Sequence, residues 1–154
     1  VKEGERNTNF YILKKGIWRA YYMIDGTESS LWFAGTGEIG FSSWGYVNNE
    51  ISQVNIESVN KSTAYCIAKP DLEELFNSSI ELSNFGRKIF EQEILFIDSY
   101  TLSYSTPSAT ERYLTLMEEN PELLQYVPLK HLASYLYITP QSLSRIRAGL
   151  KRRR

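Results

Sequence analysis

VPLKHLASYLYITPQSLSRIRAGLKRRR, residues 127–154, is the stretch from which the rest of the chain reads outward. It carries seven Lys/Arg (Lys130, Arg145, Arg147, Lys151, Arg152, Arg153 and Arg154) and no acid. The residues before it hold the other 10 Lys/Arg and all 18 Asp/Glu. A chain of net charge −1 therefore divides into an acidic body of about −8 and a basic end of about +7. A concentrated basic end on an acidic body points to a nucleic-acid contact.

Two short helices are predicted inside this stretch. Leu129, Leu132, Ala133 and Leu136 recur at helical spacing, which places one helix over about 128–137. Ile138 breaks out, and Thr139-Pro140 restarts the chain. Thr139 suits an N-cap, and Pro140 suits a first helical position, where no N–H partner is needed. Leu143, Ile146 and Leu150 form the buried stripe of the second helix, while Gln141, Ser142, Ser144, Arg145 and Arg147 lie off it. An apolar helix, a tight turn and a capped second helix with polar residues near its start is the helix-turn-helix layout. Arg pairs with guanine O6 and N7, Gln with adenine, and Ser or Thr with phosphate or base. Base contacts are expected from Gln141, Ser142 and Arg145, and phosphate contacts from Thr139, Ser144, Arg147, Lys151 and Arg152. The competing reading is a surface helical hairpin with a solvated basic tail.

Composition bounds the rest. At 154 residues the chain makes one or two domains with a real core, and its 42% hydrophobic and 23% charged content is that of a globular protein. The single cysteine, Cys66, excludes an internal disulfide and any cysteine-held metal cluster, and its neighbours make it a buried strand residue. No apolar run reaches membrane-spanning length and no signal peptide is visible, so a cytoplasmic location is the default. The first residue is Val rather than Met, so a natural N-terminus upstream is expected.

Working back towards the start, residues 1–68 read as short strands: 10–13, 17–24, 30–33, 52–58 and 62–68, with Lys14-Lys15-Gly16, Asp25-Gly26 and Gly35-Thr36-Gly37 as turns. Such a pattern belongs to a sandwich or barrel. Residues 70–76 form a short helix with Pro at its start. A long helix follows over about 80–105. Leu82, Phe85, Ile89, Gln92, Phe96 and Ser99 make one series on it, and Phe90, Ile94, Ile97, Thr101 and Tyr104 a second. Two apolar series require two things to pack against: the chain's own β-domain, and the same helix of a second subunit. Leu82, Phe85, Ile89, Gln92 and Phe96 are the candidates for that seam; the alternative is burial on both sides within one subunit. Thr106-Pro107-Ser108 reads as a hinge. Residues 108–119 form a further helix with Tyr113, Leu114, Leu116 and Met117 inward, and 122–126 leads into the opening stretch.

This order resembles that of the Crp/Fnr superfamily of bacterial transcription regulators, across essentially the whole chain. The matching segments are Gly4-Glu5, FYILKKG at 10–16, Asp25-Gly26, GEIG at 37–40, KPDL at 69–72, and above all LASYLYITPQSLSRIR at 132–147. The last is similar to the Bacteroidetes-type branch, where the chain ends soon after the recognition helix and no wing hairpin is recognisable. The resemblance implies an α+β fold: a cyclic-nucleotide-binding-like, jelly-roll-like double-stranded β-roll over 1–78, a dimerisation helix over 79–106, and an all-α helix-turn-helix domain over 107–154. It implies that an element of the roll precedes Val1. It also implies double-stranded DNA, a second copy of the chain and RNA polymerase as partners, with no membrane and room for an unidentified small-molecule effector.

Family members that bind cyclic AMP hold its phosphate with an Arg followed by Ser or Thr. An anionic phosphate needs a guanidinium and N–H donors. Residues 41–57, FSSWGYVNNEISQVNIE, contain no Lys or Arg; Ser52-Gln53 falls at the phosphate position, and Glu50 would repel the ligand. Weak or no cyclic-nucleotide binding is expected. The candidate effector pocket is Trp32, Phe33, Glu38, Phe41, Ser52 and Gln53, suited to an aromatic or neutral ligand; the other reading is that the aromatics simply fill the roll.

Catalytic constellations are missing. His131, the only histidine, has no partnered Ser or Cys, and a surface or helix-packing role is expected of it. One His and one Cys do not build a zinc, iron–sulfur or haem site, and no cofactor or metal is expected. A DNA-binding homodimer is the favoured reading. The alternative is a small-molecule sensor or interaction scaffold with a helix-turn-helix remnant.

Overall fold

The computed structural model describes residues 1–105 and 108–151. Six strands come first: β1 (Phe10–Lys15), β2 (Trp18–Ile24), β3 (Thr27–Ala34), β4 (Ile39–Gly40), β5 (Asn55–Ser58) and β6 (Thr63–Ile67). They form two three-stranded antiparallel sheets, ordered β4-β1-β6 and β3-β2-β5. The β2–β3 hairpin turns on Asp25 and Gly26, both with positive φ (48° and 77°). A two-residue loop of that type matches the twist of the flanking strands, so Asp-Gly is its natural sequence.

Alternation along β2 gives its sheet two different faces. Ala20 packs inside the roll with Val54, Ile56, Trp18, Tyr22, Leu31, Trp32 and Trp44. Arg19 lies on the other face and is also buried. Strand β5 begins later than residue 52, because Ser52 closes a local turn and pairs with the N-terminal segment. Its Oγ bonds Val54, its N–H donates to Glu5 O, and its carbonyl accepts from Gly4. Cys66 corrects a sequence expectation: it is on the edge strand β6 but exposed, at the open apolar cavity between β6, α2 and α3.

Between β4 and β5 lies a helix the sequence did not announce, α1 (Ser43–Asn48). Six residues are too few to show a helical repeat, but the Ser42 side chain caps the Gly45 N–H. Helix α2 (Lys69–Ser78) starts with Pro70 in its first turn and turns into α3 (Ile80–Ser105). Phe10, Tyr46 and Leu72 form a second cluster, against which Phe41, Phe76, Ile89 and Phe90 pack.

The C-terminal part is helical: α4 (Ala109–Glu119), α5 (Pro121–Tyr126), α6 (Leu129–Tyr135) and α7 (Pro140–Lys151). Ser108 and Glu111 form a capping box at the start of α4. The proposed hinge residues Thr106 and Pro107 lie outside the described residues. Tyr113 and Leu116 face inward as expected and Met117 packs at the edge, but Leu114 is exposed, one position round from the buried face. The helical core joins Tyr113, Leu116, Leu123, Val127, Leu132, Ala133, Leu136 and Leu143 to Ile17 and Phe33 of the roll. The helical head is thus seated on the roll, with α6 against β3.

Candidate nucleic-acid interface and roll interior

Helix α6, a short turn and α7 build the helix-turn-helix. The turn is tight because Ile138 N–H reaches back to Ala133 O and Tyr137 takes a left-handed φ of 53°. Ile138 does not leave the fold: it packs against the head core. Arg112 of α4 donates to Leu136 O at 3.0 Å, which ties the turn to the neighbouring helix. The Thr139 hydroxyl accepts the Ser142 N–H at 3.1 Å and so caps α7.

Leu143 is fully buried and fixes the rotation of α7, with Ile146 and Leu150 packed behind it. That rotation leaves Gln141, Ser144 and Arg145 exposed along the outward side, with Thr139 exposed at its start. Ser142 and Arg147 are half-buried at the edges, and the Ser142 hydroxyl bonds Thr139 at 3.0 Å. Lys151 is exposed at the end of α7, and Arg152 lies outside the described residues. Seven of the eight candidate DNA-contacting residues therefore belong to one capped helix and its approach. Guanidinium and amide donors on the open side of a helix are the chemistry that reads base edges in a major groove.

The six candidate effector residues are dispersed. Trp32 fills the roll interior. Phe33 belongs to the head core and meets Tyr135 edge-on, with ring centroids 5.2 Å apart. Phe41 stacks on Phe10 in the cluster under α3. Glu38 closes its own turn, accepting the Gly35 N–H at 2.6 Å; burial, and then the Glu38 charge, push the carboxyl of Glu93 on α3 above its ordinary value. Ser52 is buried with its hydroxyl spent on Val54, and Gln53 is exposed. The interior that would face a ligand is packed with aromatic and aliphatic side chains.

The long helix carries members of both series at the roll and members of both at the surface. In the first, Ile89 packs against the aromatic cluster of its own chain, and Phe96 stacks on Tyr100, which stacks on Tyr135 of α6. Leu82 and Phe85 edge an apolar cavity of about 390 Å³ between β6, α2 and α3, and Gln92 is exposed. In the second series Phe90 is engaged with the roll, but Ile94 and Ile97, beyond its edge, are 60% and 57% exposed. The Tyr104 side chain lies outside the described residues.

Among the described residues no group of three or more His, Cys, Asp or Glu could hold a metal ion, and no helix is long and apolar enough to cross a membrane.

Comparison with known proteins agrees with the geometry. The cyclic nucleotide-binding domain family matches residues 1–79. FixK2 from Bradyrhizobium japonicum is similar in fold with a TM-score of 0.83 at 18% identity, over 99% of this chain and 79% of that one. TTHB099, a CRP-family transcriptional regulator from Thermus thermophilus, gives a TM-score of 0.77 at 17% identity, over 99% of this chain and 80% of its own. CLP, a c-di-GMP-responsive global regulator from Xanthomonas campestris, gives 0.72 at 16% identity, over 98% and 81%. A comparison with curated protein sequences found no match. With a β-roll that the family matches along its length, a long helix and a helix-turn-helix head in that order, the chain belongs to the cyclic nucleotide-binding domain family and has the fold of the Crp/Fnr transcription regulators.

Proposed function

We propose that this protein is a homodimeric, sequence-specific DNA-binding transcription regulator that reads DNA with α7 and does not use cyclic AMP as its effector. The observation that carries the reading is α7 itself. Its inward side is locked by Leu143, and its outward side presents Gln141, Ser144 and Arg145 at the acid-free end of the chain. The fold is shared with proteins described as transcription regulators, which supports a regulator. Residues 1–78 act as the sensing roll, 79–106 as the pairing helix and 107–154 as the reading head. RNA polymerase is the further partner that this class of protein implies. The packed roll interior and the cation-free segment 41–57 support the absence of cyclic AMP binding. A ligand that prefers one arrangement of the paired helices would shift the population competent for two half-sites.

The test is selection of bound duplexes from a random pool, with and without cyclic AMP, followed by gel-shift titration of Arg145→Ala. The expected result is a two-fold-symmetric site whose affinity cyclic AMP leaves unchanged. Arg145→Ala is expected to lose it by roughly 1–3 kcal/mol with unaltered thermal unfolding. Unchanged affinity in Arg145→Ala removes that residue from the interface; no selected site at low salt removes the DNA reading.

A further inference from the structure

The outer face of the β3-β2-β5 sheet holds a charged arginine at 1% exposure beneath α6. Arg19 Nε and Nη2 donate to Glu57 Oε1 at 3.1 and 2.6 Å, and Nη2 also donates to Glu28 Oε2 at 2.9 Å. Its Nη1 reaches Ser30 Oγ at 3.4 Å, and the Tyr21 ring lies 4.1 Å from the guanidinium carbon. Nη1 also faces Nδ1 of His131, on the first helix of the helix-turn-helix. Beside this contact, Ser134 of α6 accepts the Ser30 N–H at 3.1 Å, and its Oγ stands 2.9 Å from both the Ser30 hydroxyl and the His131 carbonyl. Residues more than a hundred positions apart thus lock the head to the roll through polar groups rather than apolar packing alone.

An arginine N–H has no lone pair and only donates. The imidazole nitrogen it faces must therefore be an acceptor, which makes His131 neutral with its proton on Nε2 when the head is docked. An imidazolium would point a second N–H at the guanidinium. The charges around His131 are Arg19 from β2, Glu28 from β3, Glu57 from β5 and Lys130 from its own helix. Glu28 Oε2, 3.5 Å from Nδ1 and also accepting from Arg19, pulls the other way, towards a cation.

We propose that Arg19, His131 and the Ser30–Ser134 pair form a proton-sensitive clasp that holds the DNA-reading head on the roll, and that protonation of His131 opens it. Burial, then Arg19 and Lys130, hold the imidazole below its ordinary value against the pull of Glu28 and Glu57. The docked state therefore binds protons less readily than the released one, so it is favoured at high pH and loses ground as pH falls through about 6.5. Its consequence for DNA rests on the regulator reading above: a released head no longer holds α7 at a fixed angle to the long helix.

The test uses the full chain, whose single histidine gives one imidazole signal. In NMR the ring is expected to titrate below 6.5 with its proton on Nε2. Hydrogen exchange at the Ser30 amide, which donates across the junction, is expected to lose protection severalfold between pH values of about 7.5 and 5.5. In His131→Asn, whose side-chain oxygen accepts from Arg19 without titrating, the protection stays constant. In Arg19→Met it is low at every pH and the imidazole titrates higher than in the unaltered chain. Titration at or above 6.5, a proton on Nδ1, or Ser30 protection that ignores pH in the unaltered chain would overturn the clasp. DNA affinity over the same range separates the two readings. No DNA binding at any pH beside the expected NMR result leaves the clasp standing and removes the regulator. Affinity with the same pH profile in the unaltered chain and in His131→Asn removes the clasp as a control on DNA.

Discussion

At the scale of single residues, the two positions that most constrain this fold are ones whose neighbours come from far along the chain. Gly45 sits in α1 where a Cβ would stand 2.0 Å from the carbonyl oxygen of Asn7. That obstacle is backbone, so it cannot swing aside, and the helix or the N-terminal segment must move. Gly45→Ala is therefore expected to destabilise the roll by about 1–3 kcal/mol despite the better helix propensity of alanine. A urea midpoint equal to that of the unaltered chain would show the two segments to be looser than they are drawn. Arg19 is the second such position. In sequence it is one cation in a strand, and its partners Glu28, Glu57, Ser30 and His131 lie 9, 38, 11 and 112 residues away. Periodicity reports which face a side chain occupies, not what that face meets, so the clasp was not legible. His131 was legible only as a surface or helix-packing residue; its contact with Arg19 of β2, between head and roll, was not. The start and rotation of α7 were legible because their signal is local: Thr139-Pro140 starts the helix, and the Leu143, Ile146, Leu150 stripe sets its rotation.

At the scale of elements, α3 is the piece that the single chain leaves unfinished. Its first apolar series is engaged within the chain only in part: Ile89 packs in the aromatic cluster and Phe96 stacks on Tyr100, while Leu82 and Phe85 stay exposed. Its second series leaves the roll after Phe90, and Ile94 and Ile97 then point to solvent. Side chains three residues apart lie on one helical face, so this pair offers a narrow apolar strip to a second copy. Ile94 and Ile97 are thus a second candidate strip for the seam, beside Leu82, Phe85 and Phe96, which are also exposed. Ile94→Glu with Ile97→Glu is expected to turn a dimer into a monomer in sedimentation experiments. Helical content should be unchanged, because neither side chain supports its own subunit. A persistent dimer returns the seam to Leu82 and Phe85 beside the apolar cavity. The sequence showed that two series exist, since spacing alone reveals that. Which of them faces the roll depends on where β4, β6 and α1 end, and α1 was invisible in a segment of six helical residues.

At the scale of the whole molecule, the division of charge decides how the protein would meet DNA. The body carries a net of about −8 and the end about +7, so a dimer has almost no net charge and no long-range pull as a whole. Attraction must come from the end, within a Debye length of roughly 8–10 Å at physiological salt. The acidic body would meanwhile repel phosphates that stray from the groove, which favours one docking pose over many. Two kinds of side chain in the head should then separate cleanly. Lys151, exposed at the end of α7, is the proposed phosphate contact, a kind that carries no sequence information. Lys151→Gln is expected to weaken binding equally on a selected duplex and a scrambled one, and to lower the slope of log affinity against log salt by about 1 for each protomer. If Arg145, exposed on the outward side of α7, reads a base as proposed, Arg145→Ala should narrow the gap between the two duplexes and change the salt slope far less. Fluorescence anisotropy from 50 to 200 mM KCl on both duplexes checks the pair. A Lys151→Gln slope equal to that of the unaltered chain would mean that α7 ends clear of the backbone. The head would then have to rotate away from the orientation that Leu143 and the clasp impose, bringing Lys130 on α6 towards the phosphates instead.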